Sequence, residues 1–144
     1  MSNTNGAPTA DPAAVRDEWV AVVTELVERV EGWCKELDWA TRRAPKTIKE
    51  DKPLVPYEVP MLRMQYWDVQ LMLDPTSRFG IRNDGQCDLY IMPAYDDMAV
   101  VYRRDGDWFL RERKPGGLGE EQPFSRDSLQ RLAEVLRGQH AQAG

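Results

Sequence analysis

At 144 residues the chain is long enough to bury roughly 70% of its unfolded surface in one domain, with no need of a metal or disulfide. An apolar fraction of 42% beside 30% charged residues excludes disorder over most of the length. The formal charge of −5 argues against non-specific attraction of the whole molecule to nucleic acid or anionic membranes, and no apolar run is long enough to span a bilayer.

Residues 1–10 are small and polar and read as a disordered tail. They lack the basic and apolar regions of a secretory signal, so a cytoplasmic location is expected. Asp11 and Pro12 suit an N-cap and first helical position. From Val15 the apolar residues Trp19, Val22, Val23, Leu26, Val27, Val30, Trp33, Cys34 and Leu37 recur at spacings of three and four, which predicts a long helix ending near Asp38. Residues 39–60 carry Pro45, Pro53, Pro56 and Pro60 and read as a surface connection with at most a short edge strand at 54–57. Irregular connections of that length are often functional.

Residues 61–73 change phase. Leu62, Met64 and Tyr66 are apolar at even positions, whereas Trp67, Val69, Leu71 and Leu73 are apolar at odd ones. One strand cannot present both sets to one face, so the pattern predicts a bulge or bend near Tyr66 and Trp67, or a sheet apolar on both faces. Asp74-Pro75-Thr76-Ser77 reads as a turn. Two hairpins follow, the first around Asn83-Asp84-Gly85 with Ile81 opposite Cys87 and Phe79 opposite Leu89. In the second, a three-residue loop Arg104-Asp105-Gly106 sets Tyr102 against Trp108, Val100 against Leu110 and Val101 against Phe109. A two-residue Asp-Gly loop would set Arg103 against Trp108 and match fewer apolar residues. The glycine-rich run 115–123 reads as a flexible connection. Ser125 is the expected N-cap of a final helix, with Phe124 and Leu129 as its hydrophobic staple, Leu129, Leu132, Ala133, Val135 and Leu136 as its buried stripe and Gly138 as its stop.

The expected fold is α+β: a long N-terminal helix, an antiparallel meander of about four to five strands and a short C-terminal helix. Residues 11–138 form the single domain, followed by a disordered tail from 139 to 144. Several chemistries lack their residues. The one histidine, His140, falls in that tail, remote from any rigid support for a triad or zinc site. Cys34 sits in a helical stripe and Cys87 in an alternating strand, as small core residues do. Gly116-Gly117-Leu118-Gly119 precedes a helix but lacks a following lysine and is trailed by Glu120-Glu121, so a linker fits better than a phosphate loop. Asp84, Asp88, Asp96 and Asp97 match no calcium-loop spacing. No catalytic residue, metal ligand or cofactor is assigned.

Two basic groups stand out: Arg42, Arg43, Lys46 and Lys49 behind Trp39, and Arg103, Arg104, Arg111, Arg113 and Lys114 around the last hairpin. With 19 basic residues against 24 acidic, charged edge protection explains them better than phosphate binding does, so nucleic acid is not the expected partner. Tyr90 and Met92 oppose Cys87, Leu89 and Ile91 in parity, and both parities are apolar at Val100-Val101 and Trp108-Phe109. Both faces of the sheet should therefore be at least partly covered, by the helices, a second copy or a partner. The favoured reading is a non-enzymatic protein-interaction module, adaptor- or chaperone-like, binding an unknown protein or itself as a homodimer. Its candidate contact residues are Trp39, Arg42, Arg43, Tyr90, Met92, Val101 and Phe109. The alternatives are a nucleic-acid-associated module using residues 39–49, and a small-ligand or metal-dependent enzyme with an acidic pocket at Asp68, Asp88, Asp96 and Asp97.

Overall fold

A computed structural model of the chain describes residues 12–49, 56–77, 85–93 and 96–143. Helix α1 (Pro12–Glu36) leads into strands β1 (Ala40–Ile48), β2 (Tyr57–Tyr66), β3 (Val69–Ser77), β4 (Gln86–Met92), β5 (Asp96–Arg104) and β6 (Asp107–Lys114). Two short strands, β7 (Gly117–Leu118) and β8 (Gln122–Pro123), precede helix α2 (Arg126–Ala143). The strands make one antiparallel sheet in chain order from β1 to β7, with β8 also pairing β6. The α+β class, the long first helix and the meander are as the sequence predicts, but the sheet has eight strands rather than four or five. Among the described residues no helix is long and apolar enough to cross a membrane.

The core forms where helical and strand periodicities meet. Trp19, Val23, Leu26, Val27, Val30 and Cys34 bury one side of α1. Cross-strand partners share a face, and the register aligns Leu62, Leu73, Leu89 and Ala99 in one line over β2–β5, with Cys87, Val101 and Leu110 in another over β4–β6. All seven are inaccessible and belong to the same cluster as the α1 stripe and Leu129, Leu132, Ala133 and Leu136 of α2. Trp33 of α1 meets Phe124 edge-on, with centroids 5.2 Å apart, and Arg126 reaches Glu36 at 2.7 Å. Both helices therefore cover the same face. Met72 and Val100, on the other face, are buried outside that cluster.

Both helices are closed by local chemistry. At the end of α1, Asp38 takes a left-handed φ of 61°, Asp38 N–H donates to Lys35 at 3.2 Å and Trp39 N–H donates to Cys34 at 2.8 Å. This is a Schellman closure with Asp in the usual glycine position and Trp39 as its buried apolar residue. At the start of α2, Ser128 N–H donates to the Ser125 hydroxyl at 3.2 Å and Ser125 N–H donates to the Ser128 hydroxyl at 2.9 Å, a capping box with serine in place of glutamate. Phe124 and Leu129 are buried as the expected staple.

Several expectations are corrected. Much of the supposed connection 39–60 is strand: β1 lies along the sheet edge and β2 beside it. The prolines are accommodated by register. Pro45 faces Pro60, a pair that cannot exchange N–H···O bonds, so it belongs to the non-hydrogen-bonded type. Two residues beyond the Leu62–Leu73 pair the same register would bring Pro60 opposite Pro75, and the β2–β3 ladder stops at Leu62. There Lys46 of β1 reaches across to β3, donating to Asp74 at 2.5 Å and to the Pro75 carbonyl at 2.8 Å. Asp74 and Pro75 are thus strand residues, not a turn.

The phase change at Tyr66-Trp67 is a hairpin turn rather than a bulge: Tyr66 pairs with Val69, leaving Trp67-Asp68 as a two-residue loop. The loop at Asp105-Gly106 also has two residues, both at positive φ (54° and 84°), so Arg103 faces Trp108, Tyr102 faces Phe109 and Val101 faces Leu110. The right-handed strand twist favours such primed turns, and this outweighed the extra apolar match of a three-residue loop. Cys87 and Leu89 pair with Pro75 and Leu73 on one side and with Val101 and Ala99 on the other, so both flanks of β4 are taken. A bulge does occur between β4 and β5, where Leu89 faces Ala99 but Tyr90 faces Asp97. Gly85 packs under α1, where an added Cβ would fall 2.7 Å from the Trp19 ring. The supposed linker 115–123 is pinned to β6, with Arg111 Nε donating to Gly119 O and Gly119 N–H donating to Glu112 O, both at 2.7 Å. Val135 is 52% exposed rather than part of the buried stripe. The Asp11 cap, the tail 1–10, positions 54–55 of the proposed edge strand and the Asn83-Asp84 turn with Phe79 and Ile81 lie outside the described residues.

Helix α2 runs through Gly138 to Ala143 instead of stopping there, which places His140 in the helix. An added Cβ at Gly138 meets nothing within 4 Å. Gly138→Ala should therefore raise unfolding free energy by about 0.5–1 kcal/mol in a denaturant titration. A left-handed stop at this position would give a loss instead.

Candidate functional site

The Trp67-Asp68 turn puts a bulky residue where backbone sterics least favour one. Trp67 has a φ of 56°, a conformation that costs a non-glycine residue about 1–2 kcal/mol and that primed turns usually give to Asn, Asp or Gly. Its side chain is not buried in return, since Trp67 is 67% exposed, the most exposed large apolar residue among those described. Gln65 Nε2 donates to the Trp67 carbonyl at 3.1 Å and helps hold the turn.

Behind this turn lies a stack built from three elements. Trp39, set by the end of α1, is 6% exposed and stacks on Tyr66 with centroids 5.1 Å apart and planes at 28°. Arg137 of α2 carries its guanidinium 5.9 Å from the Tyr66 centroid and 4.3 Å from that of Trp67. The order Trp39, Tyr66, Arg137, Trp67 alternates from a sealed aromatic end to an open one, each guanidinium–ring contact drawing on the negative π face. The adjoining groove encloses about 710 Å³ and is lined by Tyr66, Trp67, Asp68, Glu134, Arg137 and Gly138. Two carboxylates and one guanidinium rim it.

Apart from Asp68, which lines the groove, the residues singled out from sequence fall elsewhere or serve the fold. Trp39 is buried, so it offers no free ring. Arg43 makes a two-pronged pair with Glu31 at 2.6 and 2.8 Å, and this hydrogen bonding holds the Glu31 carboxyl below its ordinary range. With Lys46 committed to Asp74 and Pro75, only exposed Arg42 and Lys49 of that basic group have no ion pair among the described residues. In the second group Arg104 pairs with Glu121, Arg113 approaches Asp88 at 3.6 Å and Arg111 holds Gly119.

On the sheet face away from the helices, Tyr90 lies opposite Met72 and donates to Asp88 Oδ2 at 3.1 Å. Met92 lies opposite Gln70, and Phe109 packs on Tyr102 beneath Arg104, whose guanidinium is 4.6 Å from the Phe109 centroid. All three are half-buried among polar partners. Val101 does not join them: it is sealed on the helix side between Cys87 and Leu110. Of the four acids, Asp68 is at the Trp67 turn, Asp88 lies within β4, and Asp96 opens β5; the Asp97 side chain is outside the described residues. Among the described residues no three His, Cys, Asp or Glu side chains are grouped to hold a metal.

Titration states follow from these contacts. Burial, with the nearby Glu31 charge, raises the Cys34 thiol to about 12, and burial with Asp74 and Asp88 raises Cys87 too, so neither is a ready nucleophile. Arg104 and Tyr102 both donate to Glu121 and hold its carboxyl down at about 2. Comparison with protein-family models, curated proteins and solved structures found no match, so the site is read from its own geometry. In the sequence the phase change at Tyr66-Trp67 marked the turn, and Trp39 and Asp68 were named for other roles; nothing local announced that Arg137 would arrive there.

Two expectations follow. Trp67→Asn relieves the left-handed strain and forfeits one guanidinium contact, so stability should rise by about 0.5–1 kcal/mol in equilibrium unfolding; a loss would mean that the fold needs the indole. Tyr102 titrates at about 12 instead of its ordinary 10, first through burial and then through its bond to Glu121. Its contribution to stability is therefore complete below pH 10 and lost as the pH climbs towards 12. In Glu121→Gln the Tyr102 ring-carbon NMR signal should titrate at a lower pH than in the parent, while staying above 10 because the burial remains.

Proposed function

We propose that this protein is a non-enzymatic interaction module that engages a partner protein through the groove headed by Trp67. The observation that carries this reading is the exposed indole held at a positive φ in a two-residue turn. A turn chosen for stability alone would carry a small polar residue, and local choices that oppose stability concentrate where a protein works. Tryptophan, tyrosine and arginine are also the side chains that dominate binding energy in protein interfaces. Half of the first basic group and most of the second, by contrast, are committed to intramolecular partners, which weakens the nucleic-acid alternative. The sheet face of Tyr90, Met92 and Phe109 presents aromatic edges already engaged by carboxylate and guanidinium neighbours.

A photo-reactive residue placed at position 134, on the groove wall, should form a protein adduct in cells that the same residue at the exposed position 107, at the start of β6, does not. With the partner so identified and purified, Trp67→Ala should weaken binding by at least about 2 kcal/mol, roughly thirtyfold in Kd. No adduct at position 134, or binding indifferent to Trp67→Ala, would overturn the reading.

A further inference from the structure

We infer that the partner segment received by this groove presents an arginine, whose guanidinium stacks on the exposed ring of Trp67. The inference rests on the interaction reading above and names the chemistry of its occupant. Arg137 lies over the Trp67 indole, 4.3 Å from the centroid, yet two-thirds of the residue remains exposed, which leaves room on the ring for a second cation. The stack behind it already alternates: an aromatic pair, a guanidinium, then an aromatic ring at the outer end. The next layer consistent with that order is a planar cation, because the π face of an indole is the best cation acceptor among the side chains.

Charge selects the same occupant. Asp68 and Glu134 line the groove beside Arg137, and Glu134 makes no ion pair among the described residues. An incoming guanidinium has Trp67 to stack on and Glu134 to bond in the two-pronged manner that suits planar donors. An acidic segment would meet those carboxylates, and the net charge of −5 would oppose its approach from a distance. A plain apolar side chain could use the indole, but it would leave Glu134 beside it desolvated and unmatched.

The test uses the full chain with two synthetic probes: a capped Gly-Arg-Gly-Arg-Gly peptide, and the same peptide with citrulline, a planar and neutral isostere, at both arginine positions. Trp67 is followed through its indole N–H signal in NMR titrations. The arginine peptide should shift that signal, the citrulline peptide should bind about five- to tenfold more weakly, and Glu134→Gln should cost the arginine peptide about two- to fivefold. Trp67→Ala, whose fold is checked by its remaining amide spectrum, should abolish the response. Equal binding of the two peptides would overturn the arginine assignment while leaving the Trp67 groove as an interaction site. No shift with either peptide would overturn the assignment too, and the adduct at position 134 then decides separately whether the groove binds protein. Displacement of the Trp67 signal by dilution of the protein alone would identify a second copy as the occupant and would also overturn it.

Discussion

Leu62, Leu73, Leu89 and Ala99 form one unbroken line across four strands, and the placement of other residues follows from their side of it. Burying that line requires cover along the full width of the central sheet, which α1 alone does not supply. Helix α2 therefore packs beside α1 on the same face, joined through Trp33 and Phe124. The second face is left to manage with side chains. It does so by interleaving Met72, Val100, Tyr90 and Phe109 with long charged residues whose stems shield apolar surface while their heads pair with one another. The doubled apolar parity noted in the sequence is thus real, but it is resolved within the chain by charge pairing more than by a third layer.

What the sequence revealed and what it hid have physical causes. The helices were legible because their apolar spacing and caps are local, and the Ser125 cap with its Phe124–Leu129 staple needs nothing from the rest of the molecule. The switch from even to odd apolar positions at Tyr66-Trp67 was legible too, yet its cause was misassigned. Partners across a two-residue turn have numbers that sum to an odd value, so a buried face before the turn continues on the opposite parity after it. A bulge leaves a similar trace. Strand β1 was hidden because it is an edge: its residues are mostly exposed, and the alternation that betrays a strand requires a buried face. The prolines deepened the disguise, since Pro45, Pro60 and Pro75 look like breakers until the register shows Pro45 facing Pro60 within the β1–β2 ladder and Pro60 and Pro75 lying past the end of the β2–β3 ladder.

The candidate site was hidden for a different reason. Trp39, Tyr66, Trp67 and Arg137 are brought together only by the completed fold, and the spacing from Trp39 to Arg137 spans most of the chain. Trp39 drew notice beside the basic residues, but its work is to seal a helix end and support the inner end of the stack. Arg42 and Arg43 are neighbours in sequence, yet one is exposed without an ion pair among the described residues and the other is locked to Glu31. Charge density along a chain says little about charge available at a surface.

The strict order of the strands has a consequence for how the molecule is made. Every ladder from β1 to β6 joins segments that follow one another, so each strand leaving the ribosome finds its neighbour already present, with only a small loop to close. Helix α2 is the exception. Its contact with Glu36 links positions 90 residues apart, and it can be made only after every strand of the sheet has been synthesised. Until then α1 has its sheet but not its companion, and the greasy strip awaiting Leu129, Leu132 and Leu136 stands open in the nascent chain. The eighteen residues of α2, which follow the whole sheet in the chain, are therefore the ones that close the interior.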